Sequence, residues 1–509
     1  MFYYTDFDNE QSEFLNALKD EANYTTTENG AKTHISTQSD CLDLFATIGA
    51  LRDAEDCEVL DRFYKAFAEN RDMAMKILFY ARDIRGGLGE RKVFRTILKN
   101  LAEKYPAVVE KNIPYISEYG RWDDLLCLFY GKCDGPALNL INDRFTEDIR
   151  AYLMCNDANV SLLAKWLPSI NTSSKQTVAD AYHIIHSRNM SAASYRKMVA
   201  ILRKHLKIIE NNLREKDYTF DYSKQPSKAM LKYRKAFIRN DGERYDKYLS
   251  NVAAGKETMH TGTLYPYDII HKCLLSSDYY SKEHLLEQER KSLDVTWNAL
   301  EDFTNGSNSM VILDGSGSMY GSYGSGAMRP IDIAMSLAIY FAEHTTGAFH
   351  NHFITFSSRP QIVEIKGTDI YEKVCYCKEF DDCSNTNLQR TFELLLKTAV
   401  ENHIPQNELP ETLYIISDME FDCCTNASLT NFQYAKKIFN DAGYKLPNVV
   451  FWNVCSRNQQ QPVTKNEQGV ALVSGASPRI FQMVINGETD PYEYMKSVIL
   501  SERYAPINA

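Results

Sequence analysis

The sequence lacks the long hydrophobic runs of a membrane-spanning protein. A bilayer-spanning helix needs about 20 apolar residues, and stretches such as Leu337–Ala342 are much shorter. Met1–Phe14 is acidic, with no basic segment followed by an apolar one, so we expect no signal peptide. The twelve cysteines are scattered, and no CxxC pair at zinc-site spacing occurs among Cys375, Cys377, Cys383, Cys423 and Cys424. We therefore predict a cytoplasmic protein with reduced thiols.

The sequence also lacks the common catalytic motifs. "RGGLGER" (Arg85–Arg91) has no Walker lysine–hydroxyl pair and follows a helical pattern, so a turn between helices is predicted there. No HExxH motif, GxSxG elbow or catalytic Cys–His context occurs, and no zinc spacing is formed by His344, His350, His352 and His403. We therefore expect a binding protein rather than an enzyme. A metal-dependent phosphoester hydrolase remains a third alternative, because a bound ion can assist hydrolysis.

The chain has 509 residues, too many for one core, so we predict two or more domains. The net charge of −10 argues against a general coating of nucleic acid, but the charge is unevenly distributed. Residues 188–239 contain fourteen Lys or Arg and four Asp or Glu, so this window carries +10 and the rest of the chain −20. A local basic face on an acidic protein is the prediction.

Three regions follow from the patterns along the chain. Residues 1–40 are polar and rich in Thr, Asn and Ser, which predicts a loosely ordered arm. Residues 41–304 have helical periodicity, as in Leu60, Phe63 and Phe67, with breaks at Gly, Pro or Asn. This pattern predicts an all-helical repeat region of stacked hairpins. Residues 305–509 are predicted to form a separate α/β domain.

The α/β prediction rests on apolar strand-like runs that alternate with helical segments. The runs are Met310–Leu313, Phe353–Phe356, Leu413–Ile416 and Val449–Val454. The helical segments include Ile331–Glu343, Leu388–Val400 and Phe432–Asn440. Continuous apolar strands separated by helices predict a parallel sheet covered on both faces, a doubly wound domain whose ligands bind beyond the carboxyl ends of the strands.

The first of these strands ends in "SMVILDGSGSMYGS" (Ser309–Ser322), which sets a carboxylate and two hydroxyls side by side. Thr386 lies 72 residues after Asp314, before a helix, and Asp418 lies 104 residues after it, at a strand end. Carboxylate and hydroxyl oxygens are hard ligands that suit Mg²⁺ or Mn²⁺. Asp314, Ser316, Ser318, Thr386 and Asp418 are therefore the predicted metal ligands. The alternative is a Gly/Ser turn with solvated acids nearby.

This Asp-x-Ser-x-Ser motif, with a later Thr and a strand-end Asp, resembles the metal-ion-dependent adhesion site of von Willebrand factor A domains. The resemblance covers residues 305–509 and implies a Rossmann-like fold. It further implies that Ser316, Ser318 and Thr386 bind the ion directly, while Asp314 and Asp418 often act through water. The ion would then capture an acidic group of a partner.

Five stretches of the helical half resemble, as an ordered set, a family known only as a domain of unknown function in front of a von Willebrand A-like domain. They are "RDIRGGLGERKVFR", "YGRWDDLL", "LLAKWLPSINTSS", "YRKMVAILRKHLKIIE" and "YSKQPSKAMLKYRKAFIRND". The layout is also similar to the TROVE module of Ro autoantigen proteins, rings of HEAT-like helical repeats that bind RNA. That second resemblance is one of architecture and implies RNA binding only by analogy.

The window 188–239 predicts two basic helix faces. On the first predicted helix, Arg214 joins a stripe made of Arg196, Lys197, Arg203, Lys204 and Lys207. The next helix repeats the device with Lys228, Lys232, Lys235 and Arg239. Two such stripes predict a phosphate-binding surface, with Tyr195, Tyr222 and Tyr233 near enough to stack on bases. Solvated faces, or pairing with acids of residues 305–509, are the alternatives.

Together these patterns predict a non-enzymatic binding scaffold with one divalent ion. Our first hypothesis is a Ro-like ribonucleoprotein scaffold that binds small structured RNA on its helical half. The rival hypothesis is a protein–protein adaptor in which the ion captures a partner's carboxylate and no RNA is bound.

Overall fold

The computed structural model describes residues 13–509 apart from 157–158, 278–283, 305, 307, 322–327, 381–382 and 484–489. Within this described part, the first half is helical and the second half contains a six-stranded sheet, which confirms the predicted order of an α region followed by an α/β region. Residues 1–12 of the predicted arm lie outside the described residues.

Helices dominate up to residue 298. They are α1 Glu13–Ala22, α2 Asp40–Thr47, α3 Asp56–Glu69, α4 Arg71–Arg82, α5 Lys92–Lys104, α6 Pro106–Tyr119, α7 Asp134–Leu153, α8 Leu163–Trp166, α9 Lys175–Ser187, α10 Ala192–His205, α11 Ile209–Glu215, α12 Ser227–Ala253, α13 Pro266–Ser277 and α14 Glu287–Asn298. A short hairpin precedes α2 and consists of β1 Tyr24–Thr26 and β2 Lys32–His34.

The second half alternates strands and helices. Its elements are β3 Ser309–Asp314, α15 Pro330–His344, β4 His352–Phe356, β5 Gln361–Glu364, α16 Ile370–Lys378, α17 Leu388–Glu401, β6 Thr412–Ser417, α18 Asn431–Asp441, β7 Asn448–Asn453, β8 Val470–Ser474, α19 Arg479–Met483 and α20 Pro491–Ile499.

Local sequence signals explain several helix boundaries. Ser39 and Asn70 precede α2 and α4, and their side chains accept from the backbone N–H groups of Leu42 and Met73. Pro106 begins α6 at the position where a missing N–H costs nothing. None of the helices in the described residues is long and apolar enough to cross a membrane. All twelve cysteines lie within the described residues, and none of them forms a disulfide there.

The large sheet has the strand order β5-β4-β3-β6-β7-β8. Neighbouring strands from β4 to β8 are parallel, while β5 pairs with β4 in the antiparallel direction. After β3 the chain builds one side of the sheet, and it then returns to place β6 on the other side of β3. This reversal makes a crevice at the carboxyl ends of β3 and β6, where open α/β sheets bind ligands.

Two strands of this sheet correct the sequence prediction. The predicted parallel sheet is wrong at one edge, where the short and mostly exposed β5 returns from β4 and pairs with it in the antiparallel direction. The strand β8 was not predicted, although Val470–Ser474 is a short apolar run directly after Gly469 and could have been recognised.

The sheet is covered on both faces, and one face joins the core of the helical half. Val311, Leu313 and Tyr414 point to that side, in one cluster with residues of α2 to α7. The alternate residues Met310, Ile312, Leu413 and Ile415 pack with α17 and α18 on the opposite face. Successive side chains of a buried strand point to opposite faces of the sheet, so one face of this sheet shares a continuous apolar core with the helical half.

The predicted loosely ordered arm is wrong for residues 24–40, which are tied to the α/β half. His34 exchanges two backbone hydrogen bonds with Gln461, at 3.0 and 2.8 Å, and Thr27 Oγ1 donates to the Phe421 carbonyl at 2.6 Å. These residues are polar, so composition suggested disorder, but their polar groups find partners far away in the sequence.

The C-terminal segment of the chain, in turn, contacts the helical half. Asp83, fully buried after α4, accepts from the Arg503 guanidinium at 2.7 Å and from the Tyr504 hydroxyl at 3.0 Å. Each half is therefore held by a segment from the other end of the sequence.

Candidate functional site

The candidate site begins at Asp314, the last residue of β3. Its carboxylate is fully buried and accepts from the Ser316 N–H at 2.9 Å and from the Ser417 hydroxyl at 2.5 Å. Ser417 is the last residue of β6, the strand beside β3. The parallel register therefore brings two strand ends, with their polar side chains, to one edge.

The predicted serine ligands lie next to each other in the loop after Asp314. A 3₁₀ turn over Gly317–Tyr320 folds the chain so that the hydroxyl oxygens of Ser316 and Ser318 are 3.0 Å apart. Gly317 faces the carbonyl oxygen of Cys383 at the start of the Thr386 loop, 4.0 Å from where a side-chain carbon would stand. The loops after β3 and before α17 therefore approach closely.

Asp418 follows β6 and is buried beside Asp314. Its Oδ1 accepts from the Glu420 N–H at 3.2 Å, and its Oδ2 pairs with the Arg457 guanidinium at 2.9 Å. Burial, and then the negative charge of Asp418, raise the pKa of Asp314 above its ordinary value. A buried pair of like charges is a setting in which an added cation stabilises both groups.

Thr386 reaches the same edge but bonds to the loop after Asp418. Its hydroxyl oxygen lies 2.7 Å from the Glu420 carbonyl oxygen and 3.0 Å from Asp422 Oδ1, and it accepts from Asn29 Nδ2 at 2.9 Å. Among the described residues, its hydrogen bonds go to this loop and to Asn29 rather than to Asp314 or the two serines. The structure thus groups four predicted ligands closely and sets the fifth in the adjoining loop.

The N-terminal hairpin forms a rim of this edge that sequence patterns did not reveal. Asn29 also donates to the Glu420 carbonyl at 2.7 Å, and the Glu28 N–H donates to Glu420 Oε2 at 2.8 Å. The Glu28 carboxylate lies 2.8 Å from Arg457. No local signal marks Glu28 or Asn29, because their partners are almost 400 residues away.

The donor set fits a hard divalent ion. Two buried carboxylates balance a charge of +2, and the hydroxyls of Ser316, Ser318 and Thr386 are neutral oxygen donors. In the part of the chain that is described, no group of three or more His, Cys, Asp or Glu side chains could hold a metal ion. The predicted site differs in kind from such a group, because three of its five donors are hydroxyls.

The predicted basic stripe on the first helix is partly wrong. α10 ends at His205, and Lys207 adopts a left-handed turn (φ 47°), so Arg214 lies on a separate helix, α11. Arg203 is directed inward, where it donates to the carbonyl oxygens of Ala164 and Leu167 at 2.8 and 2.7 Å. Neither Gly nor Pro marks the break after His205, and the apolar period continues through it, so the sequence pattern misled.

The remaining predicted cations lie on exposed surface, and some of them form ion pairs. The exposed residues are Arg196, Lys197, Lys204, Lys207, Lys228, Lys232, Lys235 and Arg239. Lys228 lies 3.1 Å from Asp268, and Lys235 lies 3.7 Å from Glu289. These two lysines therefore pair with acids of the helical half itself, whereas the alternative drawn from the sequence was pairing with acids of residues 305–509.

The predicted base-stacking tyrosines are mostly buried. Tyr195 is in the core and donates to the Pro168 carbonyl at 2.8 Å, and Tyr222 packs among Phe237, Tyr245 and Tyr248. Tyr233 is half-buried, with its hydroxyl 3.3 Å from Glu210. Tyr195 and Tyr222 therefore serve the core and not a nucleic-acid surface.

The fold and the strand-edge cluster define a two-part protein, a helical region joined to a mostly parallel α/β sheet with an acid–hydroxyl crevice. The chain belongs to the family described as domain of unknown function DUF2828, whose model matches residues 27–144 and 137–305. Residues 308–502 match a second domain of unknown function, DUF7788. These matches confirm the predicted membership of an uncharacterised family.

Individual proteins are also similar to this chain. Uncharacterized protein L728 of Acanthamoeba polyphaga mimivirus is 30% identical over 503 residues, which cover 92% of this chain and 85% of that protein. The crystal structure of the Deinococcus radiodurans Ro (RSR) protein aligns over 92% of this chain and all of its own, with 12% identity and a TM-score of 0.35. A score this low assigns no shared function.

Proposed function

We propose that the protein is a non-enzymatic, metal-dependent binding scaffold. In this proposal, the α/β half holds one Mg²⁺ or Mn²⁺ ion through Asp314, Ser316, Ser318, Thr386 and Asp418. The bound ion supplies a site for one carboxylate oxygen from a partner protein. The observation that carries the proposal is the meeting of Asp314, Asp418 and the two serine hydroxyls at the reversal point of the sheet.

The chain's own residues explain why a partner's acid would be preferred. Asp314 and Asp418 carry no more negative charge than the ion carries positive charge, and Arg457 already pairs with Asp418, so a further anion is still attracted. The Ser417 hydroxyl and the Ser316 N–H hold the Asp314 carboxylate in one orientation. The resemblance to the von Willebrand A adhesion site supports the same division of roles.

A thermal unfolding series tests this proposal. Mg²⁺ or Mn²⁺ should raise the Tm of the wild type, because an ion that binds only the folded state stabilises it. Asp314→Ala and Ser316→Ala should abolish the rise. Ser336→Ala is the matched control, since Ser336 is a buried serine whose hydroxyl donates within α15. Equal metal responses in Ser316→Ala and Ser336→Ala would refute the site.

RNA binding by the helical half is the second candidate function. The specific observation in its favour is the set of cations that extend from α10 and α12 to solvent, above all Arg196, Lys197, Lys204, Lys232 and Arg239. Filter binding of a small structured RNA over a salt series tests it. We expect affinity to fall steeply with salt and to fall further in a Lys204→Glu/Lys232→Glu variant; salt-independent binding, or no binding, would contradict it.

A further inference from the structure

The helical half contains a large cleft that neither proposed site uses. It has a volume of about 750 Å³ and lies between α5, the turn Trp122–Leu128, α8 and α9. Pockets for small molecules have volumes of roughly 300–1,000 Å³. Three of the five stretches that mark the family resemblance, "RDIRGGLGERKVFR", "YGRWDDLL" and "LLAKWLPSINTSS", contribute residues to its lining. Separate segments of sequence thus meet around one space.

Three cations line one wall of this cleft, whose lining also contains three acids, Glu103, Asp123 and Asp180. Arg91, Arg95 and Lys99 are spaced by four residues, so they lie along one side of α5. Asp123 pairs with both Arg91 and Arg95, and the buried Asp124 pairs with Arg95 and with Arg82 behind the wall.

Arg121 adds another cation to this group. Burial, and then the positive charge of the neighbouring Arg82, lower the pKa of Arg121. Arg82, Arg91, Arg95 and Arg121 thus place four guanidinium groups around Asp123 and Asp124, and Lys99 lies further along the same wall, so an anion would be attracted here. The other acids of the lining, Glu103 and Asp180, accept hydrogen bonds from the Lys132 N–H and from Gln176 Nε2.

Aromatic rings stand on two sides of the cleft. Trp166 lines it next to Arg121, whose guanidinium lies 4.6 Å from the centre of the indole ring. Tyr130 is 57% exposed and is held in a left-handed turn (φ 64°), with its N–H donating to Asp134 at 3.1 Å. An exposed tyrosine kept in a strained backbone conformation is available to contact a ligand.

Two residues of α10 form hydrogen bonds with the segment that carries Trp166. Arg203 of α10 binds the Ala164 and Leu167 carbonyls, and the Tyr195 hydroxyl binds the Pro168 carbonyl. These are two residues for which the sequence suggested direct contact with RNA. Their place in the structure is to position the wall of the cleft, which explains why a basic, tyrosine-containing stretch accompanies the other motifs.

We propose that this cleft binds a nucleotide, with the phosphate against Arg91, Arg95 and Lys99 and the base stacked on Trp166 or Tyr130. Guanidinium and ammonium groups bind phosphate, and aromatic side chains stack on bases of any sequence. Asp180 and Gln176 also line the cleft, where Gln176 Nε2 donates to Asp180 Oδ1 at 2.8 Å. The site extends the second proposed function to a defined place, and the nucleotide is either free or a unit of single-stranded RNA. It requires no divalent ion.

Calorimetry with the full-length protein in EDTA tests the cleft, with adenosine 5′-monophosphate, adenosine and a short adenine RNA strand as probes. We expect the monophosphate to bind more tightly than adenosine. Arg91→Gln/Lys99→Gln and, separately, Trp166→Leu should each weaken binding of the phosphorylated probes by about tenfold or more, the loss expected from a base-stacking ring. Lys92→Gln/Lys104→Gln is the matched control, because both lysines are on α5 outside the lining.

The outcomes separate this site from RNA binding by the exposed cations. The site is supported if the monophosphate binds the wild type, binds the cleft variants more weakly and binds the control variant unchanged. Equal affinity for the RNA strand would identify a unit of RNA as the ligand. RNA binding lost in Lys204→Glu/Lys232→Glu but kept in the cleft variants overturns the cleft and leaves the RNA function standing. Absence of binding by every probe overturns the cleft and leaves the binding of structured RNA to the filter-binding test. Melting temperatures of the variants identify any that fail to fold.

Discussion

Arg457 pairs with Asp418 at 2.9 Å, so a protein cation already lies against one of the two buried carboxylates of the candidate metal site. The other terminal nitrogen of Arg457 lies 2.8 Å from Glu28 of the N-terminal hairpin. Arg457 therefore links the strand edge to its rim. Its positive charge also neutralises part of the negative charge that would otherwise attract a divalent ion.

Replacing Arg457 by glutamine should strengthen metal binding and weaken the metal-free protein. Affinity for Mn²⁺ should rise by about tenfold, because a like charge near the ion is removed from a partly buried setting. The Tm without metal should fall, since Asp418 loses its partner. Calorimetric titration and thermal unfolding measure the two effects.

Arg479→Gln is the control for this experiment, because Arg479 belongs to the same half and pairs with Glu301 instead. Unchanged or weaker Mn²⁺ binding in Arg457→Gln would mean that the ion, if bound, is not beside Asp418.

Asp314→Asn should separate stability from metal binding. The amide keeps the shape of the carboxylate, can still accept from the Ser316 N–H and removes the repulsion with Asp418. We therefore expect an unchanged or higher Tm without metal and no rise on adding Mg²⁺, measured by calorimetry. A variant that loses stability without metal yet still responds to it would contradict the assignment.

His34 should make the docking of the N-terminal hairpin sensitive to acid. Burial lowers the pKa of His34 below its ordinary value of 6.5. The unfolded chain therefore binds more protons than the folded one below about pH 7, so the stability contributed by the neutral ring is lost as the pH falls. Urea unfolding at pH 7.5 and 5.5 should show a smaller loss in His34→Phe than in the wild type.

His186→Phe, at an exposed position on α9, is the control and should lose as much stability as the wild type. Equal losses of stability in all three proteins would show that His34 does not cause the sensitivity to acid.

Asp124 should be one of the most sensitive positions in the helical half. It is fully buried and accepts from both Arg82 and Arg95, so Asp124→Ala removes the carboxylate partner of the buried Arg82 and leaves Arg95 paired with Asp123 alone. We expect a loss of about 3–5 kcal/mol in the free energy of unfolding. The exposed pair Lys65–Asp61 is the comparison, since Asp61→Ala should cost less than about 1 kcal/mol. Chemical denaturation of both variants decides, and equal losses would contradict the burial argument.

The parts of the fold that follow from local patterns were predictable. Strand ends such as Asp314 and Asp418 could be assigned to one edge because parallel strands finish on the same side of a sheet. The helix around Phe63 and Phe67 follows from apolar periodicity. In each case the informative residues are neighbours in sequence or belong to one repeated element.

The parts that depend on distant partners were not predictable. Asn29 meets Thr386 across more than 350 residues, and nothing in its polar surroundings signals that contact. Arg203 has the spacing of a surface stripe, yet two backbone carbonyls bind it. A charge pattern shows which residues share one face of a helix, but not which other residues cover that face. The proposed nucleotide cleft was therefore visible only in the structure.

The most direct test of the metal site is an anomalous difference map from crystals of the full-length protein soaked in Mn²⁺. We expect a peak at the carboxyl ends of β3 and β6, about 2.1 Å from the hydroxyl oxygens of Ser316 and Ser318. Asp314 and Asp418 should lie in contact with the ion or one water away from it. A well-ordered edge without a peak, with Arg457 still bound to Asp418, would contradict it.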